Sequence, residues 1–595
     1  MGVDRGCRWR RNGVDGTRFQ EEAGRKFMKR DLKALQQEMF DVVIIGGGIT
    51  GACLCHDAAL RGMRVALVEK GDFGGFTSSA SSKLIHGGIR YLPTGQFWKV
   101  RESSEERAVF HNIAPHLTRM LPFVVPTFSG GLMKGRAALM AGLLLYEAIG
   151  WGLNERIRDP SKKVPNSRFV GKHELTSRFP LLGRLEGLSG AYVLYESHMM
   201  SSERMTLAFL KTACRNGAVA ANYVRAVDFL RANGKAVVGV VAEDVPTGQR
   251  FEIHGRIVAN AAGPHIPFIN DLLPELRLKK RPSGYSKGVH LVTRQILPDH
   301  ALTLTTRKKI EGVITRGGRH VFIIPWRHRS LIGTTDVPFS GNLDDVRVTE
   351  ADILDFIDDL NACLPGLDLC AQDIHYAWAG LYPLMVREIK PDTYQGTGEY
   401  QIVDHEKQDG IQGIVTVFGA KYTTARRVAE KAAERISAKI GKLKRFRTSR
   451  SVPLAGGDMG DVNQTRRHVQ RLYGDRLEPE IIDHLFFLYG TEMHDVIRYG
   501  AKNPMLLERL CDGLPTIGAE VVYAADQEMA LTLSDIVFRR TDWVTAGHPG
   551  KEALERAADL AKRCLGWDEA RMKAEMVRVE KAFEVIRSIR KEELR

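Results

Sequence analysis

The stretch DVVIIGGGITG, Asp41 to Gly51, decides the reading of this chain. After its first residue, Asp41 to Ile45 is short and continuously apolar, the pattern of a central parallel strand covered on both faces. Gly46, Gly48 and Gly51 follow at once in a G-x-G-x-x-G spacing. Helix-forming residues run on to Arg61, Gly62 closes that helix, and Arg64 to Glu69 is a second apolar strand ended by an acid. Strand, glycine turn, helix and strand in this order predict a β-α-β unit. The glycines allow a tight turn, close approach of a pyrophosphate and tight helix–strand packing, and the helix N-terminus turns N–H groups on the phosphates. Glu69, at the end of the second strand, is placed to accept ribose hydroxyls. The unit predicts dinucleotide binding and leaves FAD and NAD both open.

Downstream lies TSSASSKLIHGGIRYL, Thr77 to Leu92. A Ser-rich loop runs into paired glycines and an Arg-Tyr. Hydroxyls and bare backbone suit a loop lying along a cofactor's phosphates and ring edge, and His86 and Arg90 would be carried toward a substrate. Arg256 to Pro264 reads as an apolar strand ending in a small-residue turn, and Gly413 to Phe418 as another buried strand followed by a basic helix. A sheet re-entered so late predicts a discontinuous nucleotide domain with substrate segments inserted between its pieces.

The chain has 595 residues with 44% apolar and 26% charged residues, an ordinary globular composition. At roughly 150 residues per domain it holds two to four domains. The net charge of +15 is concentrated: residues 1–40 hold ten Lys/Arg against six Asp/Glu, and residues 421–450 hold eleven against two. Such local basicity suits an anionic partner, whether phospholipid, nucleic acid or a phosphorylated substrate, and equally suits a solvated helix face. The 421–450 cluster lacks interleaved aromatics, which argues against nucleic acid. The N-terminus has no apolar core of a signal peptide, and residues 1–39 read as a basic, disordered or weakly helical extension, with Met28 as an alternative start. No run reaches the ~18 apolar residues of a spanning helix. Ala137 to Tyr146 is too short to cross but suits an interfacial helix, with Arg136 snorkelling and Trp151 at headgroup depth; a buried amphipathic helix is the competing expectation. The eight cysteines form no CxxC and no metal-like or haem-attachment pattern, so reduced thiols and no metal are expected.

SSKLIHGGIRYL, after IGGGITGA and before EERAVFHNIAPHL, resembles the FAD-dependent glycerol-3-phosphate dehydrogenases of the respiratory, membrane-associated type. Further matching segments occur in order at Tyr285 to His290, Val321 to Trp326, Ile332 to Asp336, Val417 to Thr424 and Ser534 to Thr541. The resemblance spans residues 40–560. It implies an α/β fold: a discontinuous, Rossmann-like FAD-binding domain of the amine and hydroxy-acid flavo-oxidoreductase type, with an inserted α+β substrate domain and a C-terminal helical domain. The expected FAD segments are about 40–130, 200–270 and 395–450, the substrate segments about 131–199 and 271–394, and the helical domain 451–595. Departures gather in the substrate half. Gly380-Leu-Tyr382-Pro-Leu384 stands where the family has GVRPL, and Ser197 to Glu203 replaces an acidic run. In the cofactor half, Cys53 replaces a glycine of the first helix.

The resemblance implies oxidation of sn-glycerol 3-phosphate, with hydride passing to the flavin and electrons on to a quinone. The same fold oxidising another small hydroxy acid, polyol phosphate or amine remains open, as does, more remotely, a nucleic-acid-binding flavoprotein. Cofactor contacts are expected from Gly46, Gly48, Ile49, Thr50, Gly51, Glu69, Lys70, Thr77, Ser78, Ser79, Ser81, Ser82, Lys83, His86, Gly87, Gly88, Val224, Ala262, Gly263, Gly419, Lys421, Tyr422 and Thr423. His86 is the first choice of proton acceptor, since its ordinary pKa lies nearest working pH, and His290 the second. A dianionic phosphate needs cations. Arg90 and Lys421 are expected to supply them, with Arg319 and Lys287 behind, while Tyr91, Thr334, Thr335 and Tyr382 orient the substrate. Expected partners are the phosphorylated substrate, a quinone and an anionic membrane surface, with a homodimer left open. The expected location is cytoplasmic, peripheral on the inner face of the cytoplasmic membrane.

Overall fold

The computed structural model describes residues 28–129, 135–306, 320–384, 399–419, 421–441 and 448–592. Met39–Ile45 is buried along all but its first residue, as its apolar run requires. It lies between two parallel neighbours, Arg250–Asn260 and Val65–Val68. Val219–Ala221 extends the sheet on one side. Ile414–Phe418 joins the other side in parallel, 369 residues after Ile45 in sequence (414 minus 45), with Gln401–Asp404 antiparallel at the edge. The late re-entry of the nucleotide sheet is thus observed. Helices Ile49–Leu60, Ser202–Arg215 and Ala425–Lys439 cover one face through small side chains such as Ala52, Ala208 and Ala429. Cys53 is fully buried among them.

The second sheet is mixed. Its order runs Val337–Phe339, Gly284–Thr293, Arg329–Gly333, His320–Trp326, Ala301–Thr305, Thr118–Phe128, Leu188–Met199, Leu84–Ile85, and Ile374–Leu384 pairs along Gly284–Thr293. Two boundaries differ from expectation. Thr118–Phe128 pairs with Leu188–Met199 along its whole length, so residues 118–128 belong to the substrate sheet, not to the first FAD segment. The short strand Leu84–Ile85 also pairs there and carries the chain from one sheet to the other just before His86.

The folded body also begins before residue 40. Asp31 caps helix Leu32–Gln37 by accepting the Ala34 N–H, Leu35 is buried, and Arg30 pairs with Asp244. Of residues 1–39, expected to be disordered or weakly helical, 28–39 are ordered around this short helix, held by an apolar anchor and an ion pair, and 1–27 lie outside the described residues. From Val462 the chain is largely helical, and its stretch 528–545 packs on the nucleotide domain through Arg204–Glu528 and Asp72–Arg540 and on the second sheet through Arg327–Asp542.

The basic cluster at 421–450 has a different use from the one expected. Arg426 is fully buried and grips Glu106 with two hydrogen bonds of 2.7 and 2.6 Å. Arg427 pairs with Glu430, Lys431 with Glu102, and Lys439 with Asp404 and Glu406. Arg426, Lys431 and Lys439 tie the helix to the rest of the fold, while Arg427 pairs within it; residues 442–447, with four of the eleven cations, lie outside the described residues.

Candidate active site

The glycine turn is closed to side chains. A Cβ on Gly46 would stand 2.8 Å from the Ala261 carbonyl oxygen, and one on Gly51 only 1.9 Å from the Gly46 carbonyl oxygen. Gly46 has φ +106°, open to glycine and costly for other residues. Gly48 stays clear apart from the Ser78 hydroxyl 3.2 Å away. That hydroxyl accepts the Ile49 N–H at 2.9 Å, at the first turn of helix Ile49–Leu60. The Glu69 carboxylate accepts N–H bonds from Gly47 at 2.7 Å and Gly71 at 2.8 Å, while burial pulls its pKa upward. Ala261 and Ala262 lie beside Gly46, just after the strand Arg250–Asn260 ends, and Gly419 approaches Thr50, whose Oγ1 would lie 2.5 Å from a Cβ there. Bare backbone, a helix start and an acid at the neighbouring strand end form a cradle for a dinucleotide.

The Ser-rich loop is held by its own hydroxyls. Thr77 donates to the Leu381 carbonyl, Ser79 to the Phe76 carbonyl, and Ser81 accepts from the Lys83 N–H. Ser82 shares a 2.8 Å bond with His290 Nε2. His290 is stacked on Trp378 and wedged against Gly333, where a Cβ would lie 2.0 Å from the imidazole. Burial and Lys83 push its pKa down to about 3, so it is a neutral packing residue at working pH.

His86 and Lys421 converge at the far end of the cradle. Burial first, then Arg90, Lys421 and Arg107, bring the His86 pKa down to about 3. The imidazole is therefore a free base across physiological pH, and its ring stands 5.5 Å from Phe322. Lys421 donates to Ser103 Oγ at 2.9 Å and lies 4.4 Å from the centre of the Tyr91 ring; Lys99 lies 5.4 Å from the same ring. Burial, with Lys99 and Arg90 adding to it and Glu102 opposing, lowers Lys421 to about 8. Two ammonium groups near one tyrosine ring, with Arg90 acting on Lys421 and His86, make a cation-rich region beside a neutral imidazole.

Gly87 lets this recess close. A Cβ there would fall 1.7 Å from the Tyr146 hydroxyl and 2.9 Å from Arg107. Its N–H bonds Glu196 at 2.8 Å, and Arg107 pairs with the same carboxylate at 3.1 Å. Gly88 has φ +85° and packs on Ser103. Lys99, Ser103 and Arg107 were missed in the sequence, although their i, i+4, i+8 spacing puts them on one face of helix Phe97–Ile113. A polar stripe turned inward was the available signal.

Other predicted residues have the following partners. Lys83 is fully buried, pairs with Glu203 at 2.7 Å and lies 5.4 Å from the Trp326 and Trp378 rings, which makes it part of the core. Lys70 pairs with Asp344 near the surface. Lys287 is neutralised by Asp352 at 2.6 Å. Tyr422 donates to the Ser202 carbonyl at 2.7 Å, and Val224 donates its backbone N–H to the Glu69 carbonyl at 2.8 Å. Thr335 Oγ1 accepts the Val289 N–H, and Thr334 Oγ1 donates to the Thr335 carbonyl. Tyr382 lies opposite Ser286 in the sheet. Thr423 is buried, and Arg319 lies outside the described residues.

A closed glycine turn and an acid at the ribose position define a dinucleotide-binding protein. The family model of the FAD-dependent oxidoreductases matches residues 41–435, and that of the C-terminal domain of alpha-glycerophosphate oxidase matches residues 447–572. A glycerol-3-phosphate dehydrogenase of Synechocystis is 31% identical over 519 residues, covering 86% of this chain and 90% of that protein. Glycerol-3-phosphate dehydrogenase 2 of Mycobacterium tuberculosis is 34% identical over 562 residues, covering 92% and 89%. The crystal structure of the glycerol-3-phosphate dehydrogenase from Bacillus halodurans complexed with FAD superposes with a TM-score of 0.73 at 26% identity, covering 94% of this chain and 98% of that one. The chain belongs to the FAD-dependent glycerol-3-phosphate dehydrogenase family.

Proposed function

We infer that this chain oxidises sn-glycerol 3-phosphate to dihydroxyacetone phosphate. The observation that carries the reading is the group of cations near the neutral His86: Lys99 and Lys421 lie over the Tyr91 ring, and Arg90 acts on both His86 and Lys421. A phosphate dianion relieves the mutual repulsion of those cations, and charge-assisted bonds are about twice as strong as neutral ones. Bound FAD supplies the two-electron oxidant that accepts hydride from the alcohol carbon. His86 takes the hydroxyl proton, and the held phosphate fixes which carbon faces the ring. In an anaerobic titration of the purified flavoprotein, glycerol 3-phosphate bleaches the flavin, and glycerol, 2-hydroxy acids and amines do not. Bleaching by an amine or a 2-hydroxy acid instead would reassign the substrate.

We further propose that the electrons leave to a quinone at a membrane surface, with the chain peripheral on the inner face of the cytoplasmic membrane. Support comes from an apolar belt. Helix Arg136–Ile149 buries Leu143 and Tyr146 and exposes Met140, Leu144 and Leu145; Trp151 is 82% exposed, and Trp98 on the adjoining helix is 58% exposed. No helix among the described residues is long and apolar enough to cross a membrane. Beneath the belt lies a cavity of about 390 Å³ whose wall includes Leu143, Leu144, Trp151 and Leu194, with Arg107 and Tyr146 as hydrogen-bond donors at the end that adjoins Gly87. An apolar pocket of this size with donors at one end suits a quinone head. Insertion of one such side chain contributes about 1.5–3 kcal/mol. Trp151→Ser with Leu144→Ser therefore releases the protein from lipid vesicles while leaving the anaerobic bleaching intact. Retained vesicle binding would reject the belt as the docking face.

A further inference from the structure

We propose that Arg539 and Arg540 of the C-terminal helical domain are positioning residues for the adenosine half of FAD, acting through Asp72. The loop after the second strand folds back on the glycine turn. Glu69 holds the Gly47 and Gly71 N–H groups, Gly74 N–H bonds the Gly47 carbonyl at 3.0 Å, and Phe73 fills the space where a Gly47 Cβ would stand, 2.8 Å away. This loop sets the direction of the acid that meets the ribose.

Asp72, three residues beyond Glu69 (72 minus 69), is the point at which the loop is anchored. Its carboxylate is buried, with a side chain only 1% exposed. Arg540 grips it with two bonds of 2.6 and 2.8 Å, Arg539 donates to the same Oδ2, and Asn222 donates to Oδ1 at 3.0 Å. Both arginines sit on the π-helical turn Asp535–Arg540, a wider turn that brings successive side chains closer in direction. The other side of the loop is held from the same domain. Tyr223 donates its hydroxyl to Asp535 at 2.7 Å and its N–H to the Gly71 carbonyl at 2.9 Å. Asn222 reaches the Met529 carbonyl, and Arg540 Nε the Glu528 carbonyl, each at 2.9 Å. Two cations and two carboxylates, Asp72 and Asp535, balance in a buried cluster, so losing one cation leaves an acid that must find water or move. The motion open to Asp72 is outward, and Glu69 goes with it.

The test is binding of FAD and of ADP to the apoprotein, read without turnover, so it stands apart from the identity of the substrate. Arg540→Gln is expected to raise the FAD dissociation constant roughly 10- to 100-fold and the ADP constant by the same factor. Arg539→Gln, at the less buried of the two arginines, is expected to do so by roughly 3- to 10-fold. With FAD saturating, kcat and the substrate KM of both variants stay at wild-type values. Unchanged FAD and ADP affinity in a folded variant would overturn the proposal. So would an affinity loss for FAD without one for ADP, or a matching fall in kcat at saturating FAD. If Arg540→Gln does not fold, Arg539→Gln decides between the same outcomes.

Discussion

The two ends of the cofactor cradle are built with opposite electrostatics. At the adenosine end, Asp72 is matched by Arg539 and Arg540, and Glu69 by two backbone N–H groups. The two arginines hold the Asp72 carboxyl well below the usual carboxylate range, while burial raises that of Glu69. At the ring end, cations crowd one another: Lys421 is depressed to about 8 with Lys99 and Arg90 nearby, and His86 to about 3 with Arg90, Lys421 and Arg107 nearby. Glu102 and Glu399 act on the two lysines from the protein side, and an entering anion adds to that balance. Holding is done by buried matched charges, and recognition by a group of cations that an anionic ligand joins.

The comparison can be broken most severely at the backbone. Gly51→Ala sets a methyl 1.9 Å from the Gly46 carbonyl oxygen, so the protein is expected to purify without flavin and stay colourless after reconstitution, read from its absorbance. At the ring end, His86→Ala is expected to keep FAD bound but slow its reduction by substrate by about 10²- to 10⁴-fold in stopped flow, the usual weight of a general base. An unchanged rate would remove His86 from that role. Lys421→Met removes one charge-assisted bond, about 1.5–3 kcal/mol, and is expected to lower kcat/KM roughly 10- to 100-fold. The smallest effect is on pH. Lys421 is cationic below about pH 8 and neutral above it, so KM for the phosphorylated substrate rises as pH climbs through 8. His86, already neutral at pH 5 in the free protein, adds no acid limb to kcat/KM between pH 5 and 7.

The legible part of the fold was the part made by backbone. DVVIIGGGITG fixed strand, turn and helix because its glycines act through missing Cβ atoms, which a sequence states outright. The illegible part was pairing across the chain. Lys83 looked like a cofactor lysine because its neighbours line the cradle, yet Glu203, 120 residues on, buries it. Lys287 met Asp352 and the basic helix met Glu102, Glu106, Asp404 and Glu406, partners set by tertiary packing alone. Thr118–Phe128 was assigned to the wrong sheet because an apolar strand does not reveal its neighbour. The family resemblance placed His86, Arg90 and Lys421 at one end of the cofactor; it did not single out Lys99 or Ser103, which a helix turn brings to the same place.

The central claim is that the cations around Tyr91 select a phosphorylated alcohol. The most direct measurement is the preference for glycerol 3-phosphate over glycerol in the rate of anaerobic flavin reduction, in the wild type and in Lys421→Met. A collapse of that preference in the variant, through loss of the glycerol 3-phosphate rate with the glycerol rate little changed, is the predicted result. An unchanged preference, or an equal loss for both alcohols, would contradict the account.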